Sequence, residues 1–382
     1  MRKDYLVFGQ PYIGDEEIEE VVKTLKSGWL GTGPKTAQFE KEFAEYMGVP
    51  HAIAVASCTA ALHLSILSLD LKPGDEVITT PLTFCATSNA ILHSQAVPVF
   101  ADVDAITGNL DPHKVIEKIT KRTKAILPVH LYGRSCDLTS LENICQQHDL
   151  KLIGDCAHAV ETEWQGTKVG AIGDLNCFSF YPTKNLVTGE GGMITTHRED
   201  LVAKIKRMAL HGMTKDAWKR FSDTGYKHYE VVSPGYKYNM TDIQSSIGLH
   251  QLRRVDELLS RRREIWQRYQ EAFKNFPLDL PAAEEVNTQH ALHLYAPCIQ
   301  SDKLSISRDE LLQALHDRNI GAGVHYIAVH LQPYYAEKFG TKHGDFPAAE
   351  KISDNTFSLP LSARLTDEDV GDVIETLTSL LY

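Results

Sequence analysis

The stretch that decides the fold runs from His51 to Thr80: HAIAVA (His51–Ala56), then CTAALHLSILSL (Cys58–Leu69), then EVITT (Glu76–Thr80). The outer segments are short and apolar, and read as strands. The middle one reads as a helix. Downstream the same alternation continues. Phe84–His93 is predicted as a helix, Val97–Ala101 as a strand, Lys114–Ile119 as a helix and Lys124–Val129 as a strand. Leu141–His148 follows as a helix, and Lys151–Gly154, Leu175–Phe180 and Gly192–Thr196 as strands. Strands that are nearly continuously apolar and alternate with helices imply an α/β fold, with a mostly parallel sheet covered on both faces.

Upstream, Asp15–Lys26 is predicted as an amphipathic helix with Ile18, Val21, Val22 and Leu25 on one stripe. Three glycines and a proline then make Ser27–Pro34 (SGWLGTGP) a loop, and a further helix lies near Lys35–Met47. A long helical stretch is expected over Thr241–Phe273. Its basic cluster Arg261-Arg262-Arg263 reads as a solvated face rather than a phosphate patch. From His293 to Tyr382 the pattern suggests a second, α+β unit. The expected organisation is a large domain over 1–240, including the N-terminal segment, and a connecting helix with a small C-terminal domain over 241–382.

The chain has 382 residues, which suits a large domain with a smaller one attached, or two of similar size. Hydrophobic residues are 43% and charged residues 23%, so a sizeable core can be buried. The formal charge of −11 repels phosphate backbones, so no nucleic-acid partner is expected. No apolar run reaches the roughly 20 residues needed to span a bilayer, so no membrane partner is expected. No signal-peptide apolar core follows Met1. The seven cysteines are odd in number and share no CxxC spacing, so neither a disulfide framework nor a metal site is indicated. A soluble, acidic, cytoplasmic protein is expected.

Three local signals carry chemistry. Ser57-Cys58-Thr59-Ala60-Ala61 joins a strand to a helix, where small residues let backbone N–H groups approach an anion; a plain N-cap is the competing reading. Gly154-Asp155-Cys156-Ala157-His158-Ala159 puts a carboxylate directly after an apolar strand, where parallel sheets bind ligands. That acid could hold a cationic ring nitrogen or simply cap a helix. Cys177-Phe178-Ser179-Phe180-Tyr181-Pro182-Thr183-Lys184-Asn185, followed by Thr188-Gly189-Glu190-Gly191-Gly192, sets a lysine after an aromatic strand. Enclosure there would lower its pKa and make it nucleophilic near neutral pH. An anion cradle at Thr59 and Ala60, an acid at Asp155 and an amine at Lys184 together fit pyridoxal 5'-phosphate. There is no GxGxxG and no P-loop lysine motif, so a dinucleotide or P-loop nucleotide is not favoured.

Over nearly its whole length the chain resembles the DegT-type, fold-type I pyridoxal-phosphate aminotransferases acting on nucleotide-linked ketosugars. The segments that carry the resemblance are SGWLGTGP, HAIAVASCTAALH, GDEVITTPLTF, AILPVHLYG, GDCAHA, FSFYPTKNLVTGEGG, HGM and SPGYKYNMTDIQSSIGLHQL. GYKYNMTDI, RRREI and GAGVHY look most similar to members that aminate carbon 4, such as UDP-4-amino-4-deoxy-L-arabinose aminotransferase. The resemblance implies a large domain with a mostly parallel seven-stranded sheet and a smaller C-terminal α+β domain. It implies Lys184 as the Schiff-base lysine, Asp155 as the acid at the pyridine nitrogen and His158 beside the phenolic oxygen. Phe84 would stack on the ring, and Thr59, Ala60 and Ser179 would cradle the phosphate. Asn239 would reach the phosphate from a neighbouring subunit, which makes a homodimer with shared active sites. Thr32, Lys237 and His325 fall at sugar or nucleotide contacts. Gly154 departs from the family, which usually has glutamate there.

The implied reaction is a ping-pong transfer from L-glutamate, released as 2-oxoglutarate, to the C4 keto group of a nucleotide ketosugar, with UDP as the first expected carrier and dTDP, GDP and CDP as alternatives. A C3-aminating enzyme is the alternative, although such enzymes more often carry glutamine where this chain has His158. Sugar 3-dehydratases replace the lysine by histidine, and Lys184 argues against them. A non-catalytic regulator on the same fold would be expected to lose the lysine, the acid or the phosphate residues, all of which stand here.

Overall fold

The computed structural model describes residues 2–214 and 229–381; positions 215–228 of the expected 1–240 unit lie outside the described residues. The seven expected strands form one sheet: β1 (His51–Val55), β2 (Glu76–Thr79), β3 (Val97–Phe100), β4 (Thr123–Leu127), β5 (Lys151–Asp155), β6 (Leu175–Ser179) and β7 (Gly192–Thr196). Their spatial order is β1-β7-β6-β5-β4-β2-β3. Only β7 runs against its neighbours; β3, β2, β4, β5 and β6 pair in parallel.

The alternation of side chains along each strand builds two cores. Ala52 and Ala54 of β1 join Ile126, Leu152 and Phe178 on one face, against Phe39, Phe43 and Met47 of α2 (Pro34–Met47). Ile53 and Val55 join Val77, Leu127, Ile153 and Ile194 on the other, against Leu62 of α3 (Cys58–Ser68) and Ile91 of α4 (Cys85–His93). A third core gathers residues of the C-terminal part of the chain, where Ile265, Tyr269 and Phe273 pack with Tyr295, Phe357, Leu359 and Val373. Leu6 from the N-terminal segment joins it and pairs with Ile320. No helix among the described residues is long and apolar enough to cross a membrane. All seven cysteines are free.

Three expectations need correction. The stretch Thr241–Phe273 is two helices, Asp242–Arg253 and Val255–Phe273, because Arg254 leaves helical geometry at φ −116°, ψ 11°. The apolar stripe of the first helix, Asp15–Ser27, does not face the core: Ile18 is 54% exposed, and Val22 and Leu25 are also exposed, while Glu17 is buried. Polar partners pull that side inward. Glu17 accepts from Gln251 Nε2 at 2.8 Å and pairs with Arg254 at 2.7 Å. Finally, the arginine cluster is not simply a solvated face. Arg261 and Arg263 pair at the surface with Asp367 and Glu284, but Arg262 is buried and bonds Glu161, which is fully enclosed.

Removing one partner of a buried ion pair strands the other charge. Arg262→Met is therefore expected to lower stability by about 3–5 kcal/mol in chemical denaturation. Arg262→Met with Glu161→Gln should recover part of that loss. A loss under about 1 kcal/mol for the single variant would show that Glu161 is not held charged there.

Candidate active site

The C-terminal ends of the parallel strands converge on one niche, as the topology requires. Asp155 closes β5, and Ser179 closes β6. Five residues past Ser179, Lys184 sits in a turn closed by its own N–H to Tyr181 O at 2.9 Å. Pro128–Tyr132 follows β4, and Thr80–Phe84 follows β2.

Asp155 is 4% exposed. Its Oδ2 accepts from Thr87 Oγ1 at 2.8 Å and its Oδ1 from Ala157 N at 3.1 Å. Burial pushes its carboxyl upward, and those two bonds and the nearby Lys184 amine oppose that push. Enclosure lowers the Lys184 ammonium to about 8, with Cys58 and Asp155 pulling weakly the other way.

Histidines surround the pair, and burial keeps them neutral. His158 receives the backbone N–H of Tyr132 at Nδ1 (3.2 Å), so a neutral ring carries its hydrogen on Nε2, 3.0 Å from Tyr326 Oη. The ring of His293 lies 4.4 Å from that of His158, and its Nδ1 faces Asn185 Oδ1 at 3.0 Å. Both hydrogens of the Asn185 amide are spent, on Glu161 and on Ala291 O, each at 2.9 Å. Asn185 Oδ1 thus accepts from His293. His325 meets Ser358 Oγ at 2.9 Å and is lowered to about 4 by burial and by Lys184. Burial holds His158 and His293 well below the ordinary histidine value, and the Lys184 charge adds to it.

The first turn of α3 lies beside this niche. Ser57 caps it by accepting from Ala60 N at 3.1 Å, so the N-cap reading holds for Ser57. The N–H groups of Cys58 and Thr59, at the first two helical positions, have no intrahelical acceptor and remain available to an anion. Gly192 lets β7 press against this turn: a Cβ there would lie 2.5 Å from Ser57 C and 2.7 Å from Cys58 N. At Gly154 a Cβ would lie 2.3 Å from Asn176 Oδ1. Asn176 is its register partner on β6 and is anchored to Gly170 O and Ile172 O. The neighbouring strand therefore fills the space that a larger residue at 154 would need.

Phe84 is 58% exposed, its ring tilted against Tyr326 at 6.0 Å. Both line a cavity of about 910 Å³ together with Thr83, Asn89, Tyr334 and Tyr335. Within one chain the structure thus brings together Lys184, Asp155, His158 and His325, with Phe84 at the edge. Thr59 and Ala60 stand in the first turn of α3, and Ser179 ends β6. The bonds of Thr32, Lys237 and Asn239 run elsewhere. Asn239 Nδ2 donates to Thr32 Oγ1 at 2.7 Å, Thr32 bonds Met240 O, and the exposed Lys237 bridges Leu210. Sequence reasoning missed Thr87, Tyr132, Asn185, His293 and Tyr326. Tyr326 and Asn185 directly follow two candidate residues, and Tyr132 lies in the segment AILPVHLYG; Thr87 and His293 have no local signal.

Comparison with known proteins agrees with this architecture. The profile of the DegT/DnrJ/EryC1/StrS aminotransferase family matches residues 11–378. The spore coat polysaccharide biosynthesis protein SpsC of Bacillus subtilis is 50% identical over 381 residues, covering 100% of this chain and 98% of that one. The putative sugar aminotransferase Spr1654 of Streptococcus pneumoniae superposes with a TM-score of 0.91 in its PLP-form, at 33% identity over 98% of both chains; its PMP-form is also known. Helicobacter pylori PseC, an aminotransferase involved in the biosynthesis of pseudoaminic acid, gives 0.92 at 30% identity over 99% of both chains.

The residues on hand fit pyridoxal phosphate. A buried carboxylate held by two donors suits a cationic ring nitrogen, a helix start pressed by a glycine suits a phosphate, and an amine that is neutral above about pH 8 suits an aldehyde. The depressed Lys184 pKa also sets a stability test. Between about 8 and the ordinary lysine value of 10.5 the unfolded chain holds a proton that the folded chain has released, so stability rises with pH across that window. Below about 8 the buried ammonium is a standing cost. Lys184→Met is expected to raise the Tm of the cofactor-free protein at pH 7, with the gain shrinking toward pH 10.5. A lower Tm at pH 7 would contradict the enclosure of this amine.

Proposed function

Because the chain belongs to the DegT/DnrJ/EryC1/StrS aminotransferase family and is a pyridoxal-phosphate-dependent sugar aminotransferase, we propose that it transfers the amino group of L-glutamate to the C4 keto group of a nucleotide-linked ketosugar, with UDP as the carrier. The observation that carries this reading is the half-buried Lys184 near the buried Asp155 carboxylate, among histidines that burial presses toward neutrality. Pyridoxal phosphate, when bound, supplies an aldehyde for the amine and a pyridinium ring that accepts the electron pair left at carbon when a proton departs.

The residues then divide the work. Lys184 would hold the cofactor through its amine. When free, that amine would move a proton between the Cα of the amino acid and the aldehyde carbon of the cofactor. Asp155 keeps the ring nitrogen protonated. His158, neutral and with its hydrogen on Nε2, stands at the phenolic oxygen. The N–H of Thr59, together with Ser179, holds the phosphate, and Phe84 covers a ring face. In this reading Thr32, Lys237 and Asn239 serve a partner's site, while His325 contacts the sugar of its own. The outward stripe of Ile18, Val22 and Leu25, with exposed Trp29 and Leu30, supports a second copy as the covering surface. His158, in place of glutamine, supports carbon 4 over carbon 3.

A charge pair at 4 Å is worth roughly 4 kcal/mol at an effective dielectric near 20. If most of it acts in the transition state, Asp155→Ala should lower the rate by about three orders of magnitude. A loss under about tenfold would remove the acid from its assignment. The substrate is tested by supplying glutamate with nucleotide-linked 4-keto and 3-keto sugars and identifying the product by mass and NMR. Amination at C4 is expected; amination of a simple keto acid alone would overturn the sugar assignment. Site sharing is tested by mixing inactive Lys184→Ala with inactive Asn239→Ala. Each heterodimer should regain one native site, and no regained activity in verified heterodimers would place Asn239 outside the partner's site.

A further inference from the structure

We propose that Thr87 and Thr83 are positioning residues that aim Asp155. The inference rests on the reading that Asp155 faces the ring nitrogen of the cofactor.

The terminal torsion of an aspartate is soft, with a broad distribution rather than three sharp wells. A carboxylate that must meet one ring N–H therefore needs both oxygens held. Ala157 N holds Oδ1 and Thr87 Oγ1 holds Oδ2. Thr87 Oγ1 also lies 2.9 Å from Thr83 Oγ1. An ionised carboxylate can only accept, so the single hydroxyl hydrogen of Thr87 is committed to Asp155. The contact with Thr83 must then run the other way, with the Thr83 O–H donating to Thr87. The relay thus has a fixed direction, from Thr83 through Thr87 to Asp155.

Its ends have different surroundings. All three residues are buried, with Thr87 in the first turn of α4 and Thr83 in the segment before it. Thr83 also lines the wall of the open cavity beside Phe84. The ordinary use of a helical threonine hydroxyl is a bond back to the carbonyl four residues earlier. Here that carbonyl belongs to Thr83, yet the Thr87 hydroxyl bonds the acid instead. Valine has the shape of threonine without the donor, so the bond can be removed with little change in packing.

The experiment is a double-mutant cycle on the affinity of the cofactor-free enzyme for pyridoxal 5'-phosphate, read by absorbance titration, with thermal melting of each cofactor-free form alongside. Thr87→Val is expected to weaken binding about ten- to a hundredfold, the range for a hydrogen bond to a charged group. Thr87→Ser, which keeps the hydroxyl, should stay within about threefold of the parent. In an Asp155→Ala background, Thr87→Val should change affinity by less than about twofold, because the acceptor of its hydroxyl is gone. Equal losses in both backgrounds, or Thr87→Ser as weak as Thr87→Val, would overturn the inference while leaving the acid in place. Full affinity for Asp155→Ala alone would overturn the reading of the acid and the inference with it. If Thr87→Val melts early, Thr83→Val carries the same test: a weakening that requires Asp155 supports the relay, and one that does not refutes it.

Discussion

Everything in this site depends on partly desolvating a lysine amine and enclosing an aspartate carboxylate at the ends of parallel strands. Desolvation works against both charges, and the balance differs between them. For Lys184, desolvation outweighs the attraction of Asp155 and brings the amine to about 8, within reach of neutral-pH chemistry. For Asp155, two donors and the lysine resist the same penalty. The surrounding histidines are pressed toward neutrality, so they add little competing charge. A niche of this kind has one titrating amine and one acid waiting for a cation, and that is the electrostatic demand of the cofactor.

The scaffold meets the demand by stitching segments from distant parts of the chain through Tyr132. Its N–H goes to His158, its hydroxyl to the carbonyl of His325, and its own carbonyl accepts from His293 N at 3.0 Å. Tyr132 is held at φ 59°, a left-handed conformation that costs a non-glycine residue roughly 1–2 kcal/mol. Three bonds made from one strained residue explain how that cost is offset. Behind it, Arg262 and Glu161 carry the same stitching through Asn185 to His293, so the C-terminal unit fixes a histidine beside the lysine.

Much of the fold was legible from local patterns. The apolar runs of β1 to β7 are too short and too continuous for anything but doubly covered strands, and the intervening helices follow from their spacing. Asp155 was legible because it ends an apolar strand of the parallel sheet, and Lys184 because it follows the aromatic strand β6 within a few residues. The patterns misled where long-range partners decide. Ile18, Val22 and Leu25 form an apolar stripe by period, yet Gln251 and Arg254 draw the polar side of that helix inward. The arginine cluster reads as surface by charge, yet Glu161 waits for its middle member. Thr87 and His293 carry no motif of their own, and the segment AILPVHLYG gives Tyr132 no role by itself; only the sheet and the turns after it bring them to the acid and to His158.

The most direct test of the central claim is to reduce the cofactor-loaded enzyme with borohydride, digest it and locate the phosphopyridoxyl group by mass spectrometry. The account predicts a single adduct, on Lys184. An adduct confined to another lysine, or none on an enzyme that binds the cofactor and turns over, would contradict it.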